Sequence, residues 1–175
     1  GDNGEMRQVL YHNAVDVLSL VVLAERLCRL FADPMAKEVT PRERAALARW
    51  YQALDMPARA EAVYRAALDQ VLPLETQHDS LKHLAALLKR QDRRAEAVPL
   101  WIQWAMEDEG QVEAHVELAK FYEWHQIDLE KALAWTQQAL AVVARWPADP
   151  RRRETQDALA HRRARLEKKI RPASD

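Results

Sequence analysis

The chain repeats its own pattern three times, and this repeat limits its possible folds more than any other feature. A Leu-Ala pair begins each copy, at Leu47, Leu84 and Leu118, so the copies are offset by 37 and then 34 residues. The second offset rises to 35 past an inserted residue near 126–128. Periods of about 34 residues are typical of helix-turn-helix repeats. One such unit cannot bury its apolar face alone, so the pattern predicts a stack of units.

Small and large residues alternate in the same order in each copy. The aligned positions are Leu47, Ala48, Tyr51, Ala60, Tyr64 and Ala67; Leu84, Ala85, Leu88, Ala97, Trp101 and Trp104; and Leu118, Ala119, Tyr122, Ala132, Trp135 and Ala139. The alanines at 60, 97 and 132 stand where two helices approach closely, and a larger side chain would push them apart. The aromatic residues at 64, 101 and 135 fill the space between the helices.

The composition favours helix throughout. The chain of 175 residues has only three glycines, and residues that lose little freedom in a helix are abundant. We therefore expect an all-α protein with helical content above about 70%. The predicted helices span residues 42–54, 58–71, 76–90, 93–108, 111–124, 129–145 and 151–170. Pro99 lies inside one of them, where it should bend the helix or shift its start.

From Pro41 to Trp146 the sequence resembles the tetratricopeptide-repeat (TPR) family. The resemblance implies an α-α superhelix of three TPR helix-turn-helix units in residues 41–146. An N-terminal leading helix would precede them in residues 1–33. A basic capping helix would follow in residues 150–171, with Leu159, Leu166 and Ile170 on its single apolar face.

TPR arrays bind ligands with the first helix of each unit, so the resemblance also implies a partner-binding surface. Among the residues at the corresponding positions, a basic strip and one tryptophan are the predicted partner-binding residues: Arg49, Lys82, Lys89, Arg90, Lys120 and Trp124. The lysine and asparagine pattern of chaperone-binding TPRs is absent, because Ala45 and Arg49 occupy its first two places. We expect a scaffold that binds a protein or an acidic peptide along a basic concave groove; a solvated charged face is the alternative.

The segment from Arg7 to Phe31 does not fit the repeat and is apolar nearly all round. Such a helix is expected to be buried on more than one side. Its most apolar run, residues 15–24, is shorter than the roughly 20 residues that span a bilayer, so no membrane association is expected. Cys28 is the single cysteine, which predicts core packing in a reducing cytoplasm.

The phrase Tyr11-His12-Asn13-Ala14-Val15-Asp16 within this segment resembles the last motif of ribonuclease H-like exonucleases of the DEDD group, especially the YprB-like family. The resemblance implies that Asp16 is a metal ligand and that His12 or Tyr11 orients the attacking water, with Mg²⁺ or Mn²⁺ in the parent protein. The other acidic ligands of such enzymes come from an upstream domain. We therefore expect no enzyme and no cofactor in this chain alone, which begins without methionine and reads as the C-terminal region of a larger protein.

Charge leaves a second function open. The formal net charge is −1, but residues 151–171 hold nine basic residues against three acidic ones. The alternative to a protein-binding scaffold is therefore the arm of a DnaQ-like 3'-5' exonuclease that holds single-stranded nucleic acid. A third alternative is dimerisation through the apolar leading helix. No histidine stands at a metal-ligand spacing, and no glycine-rich phosphate loop is present.

Overall fold

The computed structural model describes residues 3–107 and 110–171. About 80% of this part of the chain is helical and it contains no strand. The helices are α1 (Asn3–Ala32), α2 (Pro41–Ala53), α3 (Pro57–Leu68), α4 (Leu74–Arg90), α5 (Arg94–Glu107), α6 (Glu113–Trp124), α7 (Leu129–Ala144) and α8 (Pro150–Ile170). The predicted all-α, TPR-like fold is confirmed, and α2 to α8 begin and end close to the predicted positions.

Local sequence signals explain several helix starts. Thr40 precedes α2 and accepts a hydrogen bond from the Glu43 backbone N–H, while the Glu43 carboxylate accepts one from the Thr40 backbone N–H. This reciprocal capping box satisfies two backbone donors that the helix leaves unpaired. Asp128 caps α7 and Asp149 caps α8; the side chain of each accepts one hydrogen bond from a backbone N–H in the first turn of its helix.

The turn inside each repeat contains one residue with a left-handed backbone. These residues are Asp55, Asp92 and Ile127, with φ of 55°, 62° and 54°. Their separations of 37 and 35 residues match the period of the repeat. A positive φ is costly for a β-branched residue, so Ile127 is held in this conformation by the helices on either side of it.

The chain divides into two compact units, Gly1–Val71 and Leu72–Asp175. The division lies within the predicted repeat array. The first unit contains α1, α2 and α3, and its core is built from the first repeat. Tyr51, Ala60 and Tyr64 are at most 1% exposed there, as the small-large pattern predicts.

The second unit contains α4 to α8. Ala97 and Ala132 are fully buried, and Trp101 and Trp104 are nearly so, which supports the predicted register of repeats two and three. Helix α5 continues through Pro99, so the predicted alternative of a shifted start is not observed. A further cluster joins α7 and α8 and consists of Val112, Ala139, Val142, Val143 and Leu159.

Helix α1 differs from the rest because its apolar side chains are exposed. Residues 6–26 are exposed on every face, with Leu18 at 65% and Val22 at 66%. The prediction of burial on several sides is therefore wrong for the described residues, and so is the prediction of a buried Cys28, which is exposed. The physical reason is that α1 packs on α2 only near its C-terminal end. Among the helices of residues 3–107 and 110–171, none is long and apolar enough to cross a membrane.

The contact between α1 and α2 is made by a few side chains. The Phe31 ring stacks on Trp50 with centroids 5.2 Å apart, and the Tyr51 hydroxyl donates to the Phe31 carbonyl at 2.8 Å. Arg26 forms an ion pair with Glu43 at 2.5 Å. These contacts fix the last two turns of α1 and leave the earlier ones without a packed surface.

Candidate functional site

Two lysines of α4 and one of α6 lie within the second unit, where they contact glutamates of α6. Lys82 Nζ lies 3.2 Å from Glu113, and Lys89 Nζ lies 2.5 Å from Glu117 Oε2. Lys120 Nζ lies 2.9 Å from Glu117 Oε1. The basic strip is thus partly neutralised by carboxylates of the same unit, a feature that the predicted basic groove did not include.

Each of the two carboxylate oxygens of Glu117 accepts a hydrogen bond from a different lysine. Burial alone would raise its pKa, but the hydrogen bonds from Lys120 and Lys89 outweigh burial, and the pKa lies below the usual value. The carboxylate is therefore ionised at neutral pH. Its side chain remains 20% exposed and those of the two lysines 39% and 34%, so solvent reaches this cluster.

A pocket of about 220 Å³ opens beside this cluster. We call it the Trp124 pocket. It is lined by Lys89, Arg94, Trp101, Glu117, Lys120, Phe121, Trp124 and His125. Three of the predicted partner-binding residues therefore line one cavity, with buried aromatic rings beside charged groups. An apolar floor with a few polar groups at its edge is the usual composition of a ligand site.

The other predicted partner-binding residues lie elsewhere. Lys82 is placed over the Trp104 ring, 5.8 Å from its centroid, and does not line the Trp124 pocket. Arg90 is exposed in the last turn of α4. Arg49 is exposed on α2, in the first unit. The structure thus brings Lys89, Lys120 and Trp124 together and gives the remaining residues different surroundings.

One buried carboxylate, Glu123 of α6, receives three cations from α8. Its side chain is 1% exposed and lies 2.7 Å from Arg162, 2.8 Å from Arg165 and 3.1 Å from Lys169. We call these four residues the Glu123 anchor. Burial would raise the pKa of Glu123, but the hydrogen bonds from Lys169 and Arg165 lower it further than burial raises it. The anchor is therefore charged and carries two more positive charges than negative ones.

The Glu123 anchor also reaches the pocket. The Arg162 guanidinium lies over the Trp124 ring, 5.3 Å from its centroid, an arrangement in which the ring quadrupole attracts the cation. This anchor was not predicted from the sequence. The signal was present, however, because the basic residues at 162, 165 and 169 share one face of α8 at spacings of three and four.

The residues of the exonuclease-like motif are exposed on α1. Tyr11 and His12 make an edge contact at 6.3 Å, and Asp16 follows one helical turn after His12. Within the described residues, no three His, Cys, Asp or Glu side chains form a group that would hold a metal ion. The metal-ligand role of Asp16 and the orienting role of His12 or Tyr11 stay predictions for a larger protein.

The chain is similar to a TPR-like solved structure and to a longer protein. PcrH from Pseudomonas aeruginosa superimposes with a TM-score of 0.53 at 15% identity, over 75% of this chain and 95% of PcrH, which shows the fold. The chain is 30% identical over 141 residues to protein YprB of Bacillus subtilis strain 168. That match covers 79% of this chain, which spans about a third (34%) of YprB. No family model matches the chain.

Proposed function

We propose that the chain is a TPR-type interaction region of a larger protein and that it binds a protein partner at the Trp124 pocket. One observation carries the proposal: Lys89, Lys120 and Trp124, which the repeat positions single out from the sequence alone, line the same cavity. Tryptophan is among the residues that most often dominate the binding energy of protein interfaces, and the two lysines add electrostatic selection of the partner. Trp124 is 54% exposed and offers a large apolar contact.

A photocrosslinker placed at the edge of the pocket tests this function in cells. His125 lines the cavity, is exposed and stacks on Phe121 with ring centroids 5.9 Å apart, so the aromatic p-benzoylphenylalanine at this position retains a ring next to Phe121. Glu130 on α7 is exposed and outside the pocket, which makes it the matched control position. We expect one protein adduct at 125 that is missing at 130 and is lost in Trp124→Ala. Identical adducts at both positions, or an adduct that survives Trp124→Ala, would contradict the proposal.

A second candidate function is a nucleic-acid-holding arm of a DnaQ-like 3'-5' exonuclease. The match to about a third of YprB favours it, together with the Tyr11 to Asp16 motif on α1. In the whole protein, Asp16 would hold Mg²⁺ or Mn²⁺ beside carboxylates of another domain. Three basic residues of α8 outside the Glu123 anchor, Arg153, Arg163 and Lys168, are exposed and would contact phosphates.

The salt dependence of oligonucleotide binding distinguishes the two functions. A phosphate-binding arm should bind fluorescein-labelled oligo(dT) weakly, with log affinity falling by about 0.7 per phosphate contact for each unit of log salt. Lys89→Glu with Arg90→Glu should reduce that slope if the groove contributes, whereas Trp124→Ala should leave it nearly unchanged. Absence of oligonucleotide binding at low salt would remove the exonuclease-arm function for this chain.

A further inference from the structure

We infer that the Trp124 pocket accepts an apolar side chain that lies next to a carboxylate, and that this incoming carboxylate displaces Glu117 from Lys89 and Lys120. The inference rests on the proposed function and names the chemistry of the partner at that same site. Glu117 then acts as an internal competitor that occupies the lysines when no partner is bound.

The size of the pocket indicates what enters it. At about 220 Å³ it is smaller than the cavities that hold drug-sized molecules, which begin near 300 Å³. Trp101 and Phe121 are almost fully buried and Trp124 is half exposed. These rings bound a space that suits a single large side chain of a peptide segment, and its burial would supply the main driving force.

The charge around the pocket indicates what accompanies that side chain. Lys89 and Lys120 share one glutamate, which leaves one positive charge in excess. The Glu123 anchor, whose Arg162 covers Trp124, adds two. Arg94 is balanced by Asp92. The field at the pocket therefore attracts an anion and disfavours a cationic ligand.

The geometry of Glu117 shows how a carboxylate would be held. Its two oxygens each meet a different lysine, one from α4 and one from α6, at 2.5 and 2.9 Å. A carboxylate of a partner can be held by the same two ammonium groups, because lysine is a flexible point charge with several donors. When Glu117 rotates into solvent, the number of charge-assisted contacts is conserved. A neutral ligand offers no such exchange and must enter while Glu117 stays paired.

A pair of small probes tests the exchange. The probe 3-phenylpropionate carries one aromatic ring and one carboxylate, and 3-phenylpropanamide is its neutral match. The chain has six tryptophans, so their indole N–H signals can be followed in a nitrogen-proton correlation spectrum, with Trp124→Phe assigning the relevant signal. We expect Glu117→Gln to tighten 3-phenylpropionate binding about threefold or more, since it removes the competing charge, and to leave the amide unchanged. Glu130→Gln is the matched control and should change neither.

Lys120→Gln gives a second, independent readout. It removes one of the two ammonium groups, so the preference for the carboxylate probe over the amide should fall. Lys37→Gln, at an exposed lysine of the first unit, should leave that preference intact. The inference is overturned if Glu117→Gln weakens the carboxylate probe or leaves its affinity unchanged. It is also overturned if the affinities of both probes rise equally in Glu117→Gln, or if neither probe shifts the Trp124 signal. In each of these cases the photocrosslinking at His125 still decides the proposed function separately.

Discussion

Helices α1 and α8 have opposite compositions and opposite surroundings. Helix α1 is rich in leucine and valine, yet its side chains from 6 to 26 are exposed. Helix α8 is rich in arginine and lysine, yet Leu159 and Leu166 are buried and three of its cations converge on Glu123. Apolar content alone therefore does not determine whether a helix is packed. The neighbouring helix must offer a matching surface.

For α8 that surface exists within its own unit. Helix α7 supplies Ala139, Val142 and Val143, which pack with Leu159 of α8. Helix α6 supplies the buried carboxylate of Glu123 for the basic face of α8. For α1 the described contacts lie near the end of the helix and involve residues of α2, among them Trp50, Tyr51 and Glu43. The exposed apolar surface of α1 is of the kind that marks interaction sites in proteins.

The largest expected difference is between two leucine truncations. Leu166→Ala should lower the free energy of unfolding by about 2 to 5 kcal/mol, because Leu166 is fully buried and a cavity would remain. Leu18→Ala should change it by less than about 0.5 kcal/mol, because Leu18 is 65% exposed. Urea unfolding followed by far-ultraviolet circular dichroism measures both. Equal shifts of the two urea midpoints would show that α1 is packed in solution and would contradict the difference between α1 and α8.

A smaller effect is expected from the ionic contact of α8. Glu123→Gln leaves Arg162, Arg165 and Lys169 close together without their anion, and loss of one partner from a buried pair costs several kcal/mol. Because Arg165 and Lys169 are 40% and 48% exposed, water screens part of this cost. We expect about 2 to 3 kcal/mol. Glu167→Gln, which affects only a half-exposed pair with Arg163, should be nearly neutral in the same urea experiment.

The smallest effect concerns Glu43, the ionic contact of α1. Hydrogen bonds from the Thr40 backbone, then from Arg26, lower the pKa of Glu43 from 4.5 to about 2. A lowered folded-state pKa contributes stability above pH 4.5, which is lost as the pH falls from 4.5 towards 2. Carbon NMR of the side-chain carboxyl group should show this midpoint. Arg26→Gln should raise it but keep it below 4.5, because the Thr40 bond remains; a full return to 4.5 would mean that α1 dominates this contact.

The sequence predicted the repeated part of the fold well. The alanine at position 60, 97 or 132 of each repeat is fully buried, and these positions indicate where two helices pack closely. The start of α2 was predictable because its capping residues, Thr40 and Glu43, are local in sequence. Structural features that depend on the repeat period or on residues close in sequence can therefore be predicted from the sequence.

The site was predictable only in part, because its contacts join distant segments. Repeat positions identified Lys89, Lys120 and Trp124, but Glu117 pairs with Lys89 across 28 residues and Glu123 with Arg162 across 39. No pattern within a short stretch of sequence indicates ion pairs between residues so far apart. The apolar pattern of α1 predicted burial, which its residues 6–26 do not show, because a pattern on one helix does not reveal whether a neighbour supplies the surface.

The left-handed turns of the repeats have a consequence for recognising proteins of this kind. Asp55, Asp92 and Ile127 adopt a conformation that glycine or asparagine adopts most easily, yet none of the chain's three glycines stands in these turns. The left-handed backbone is thus common to the three turns, although the residue differs and is β-branched in the third. A sequence pattern that required Gly, Asn or Asp at each turn would therefore miss the third repeat, whereas the buried alanines at 60, 97 and 132 occur in all three repeats.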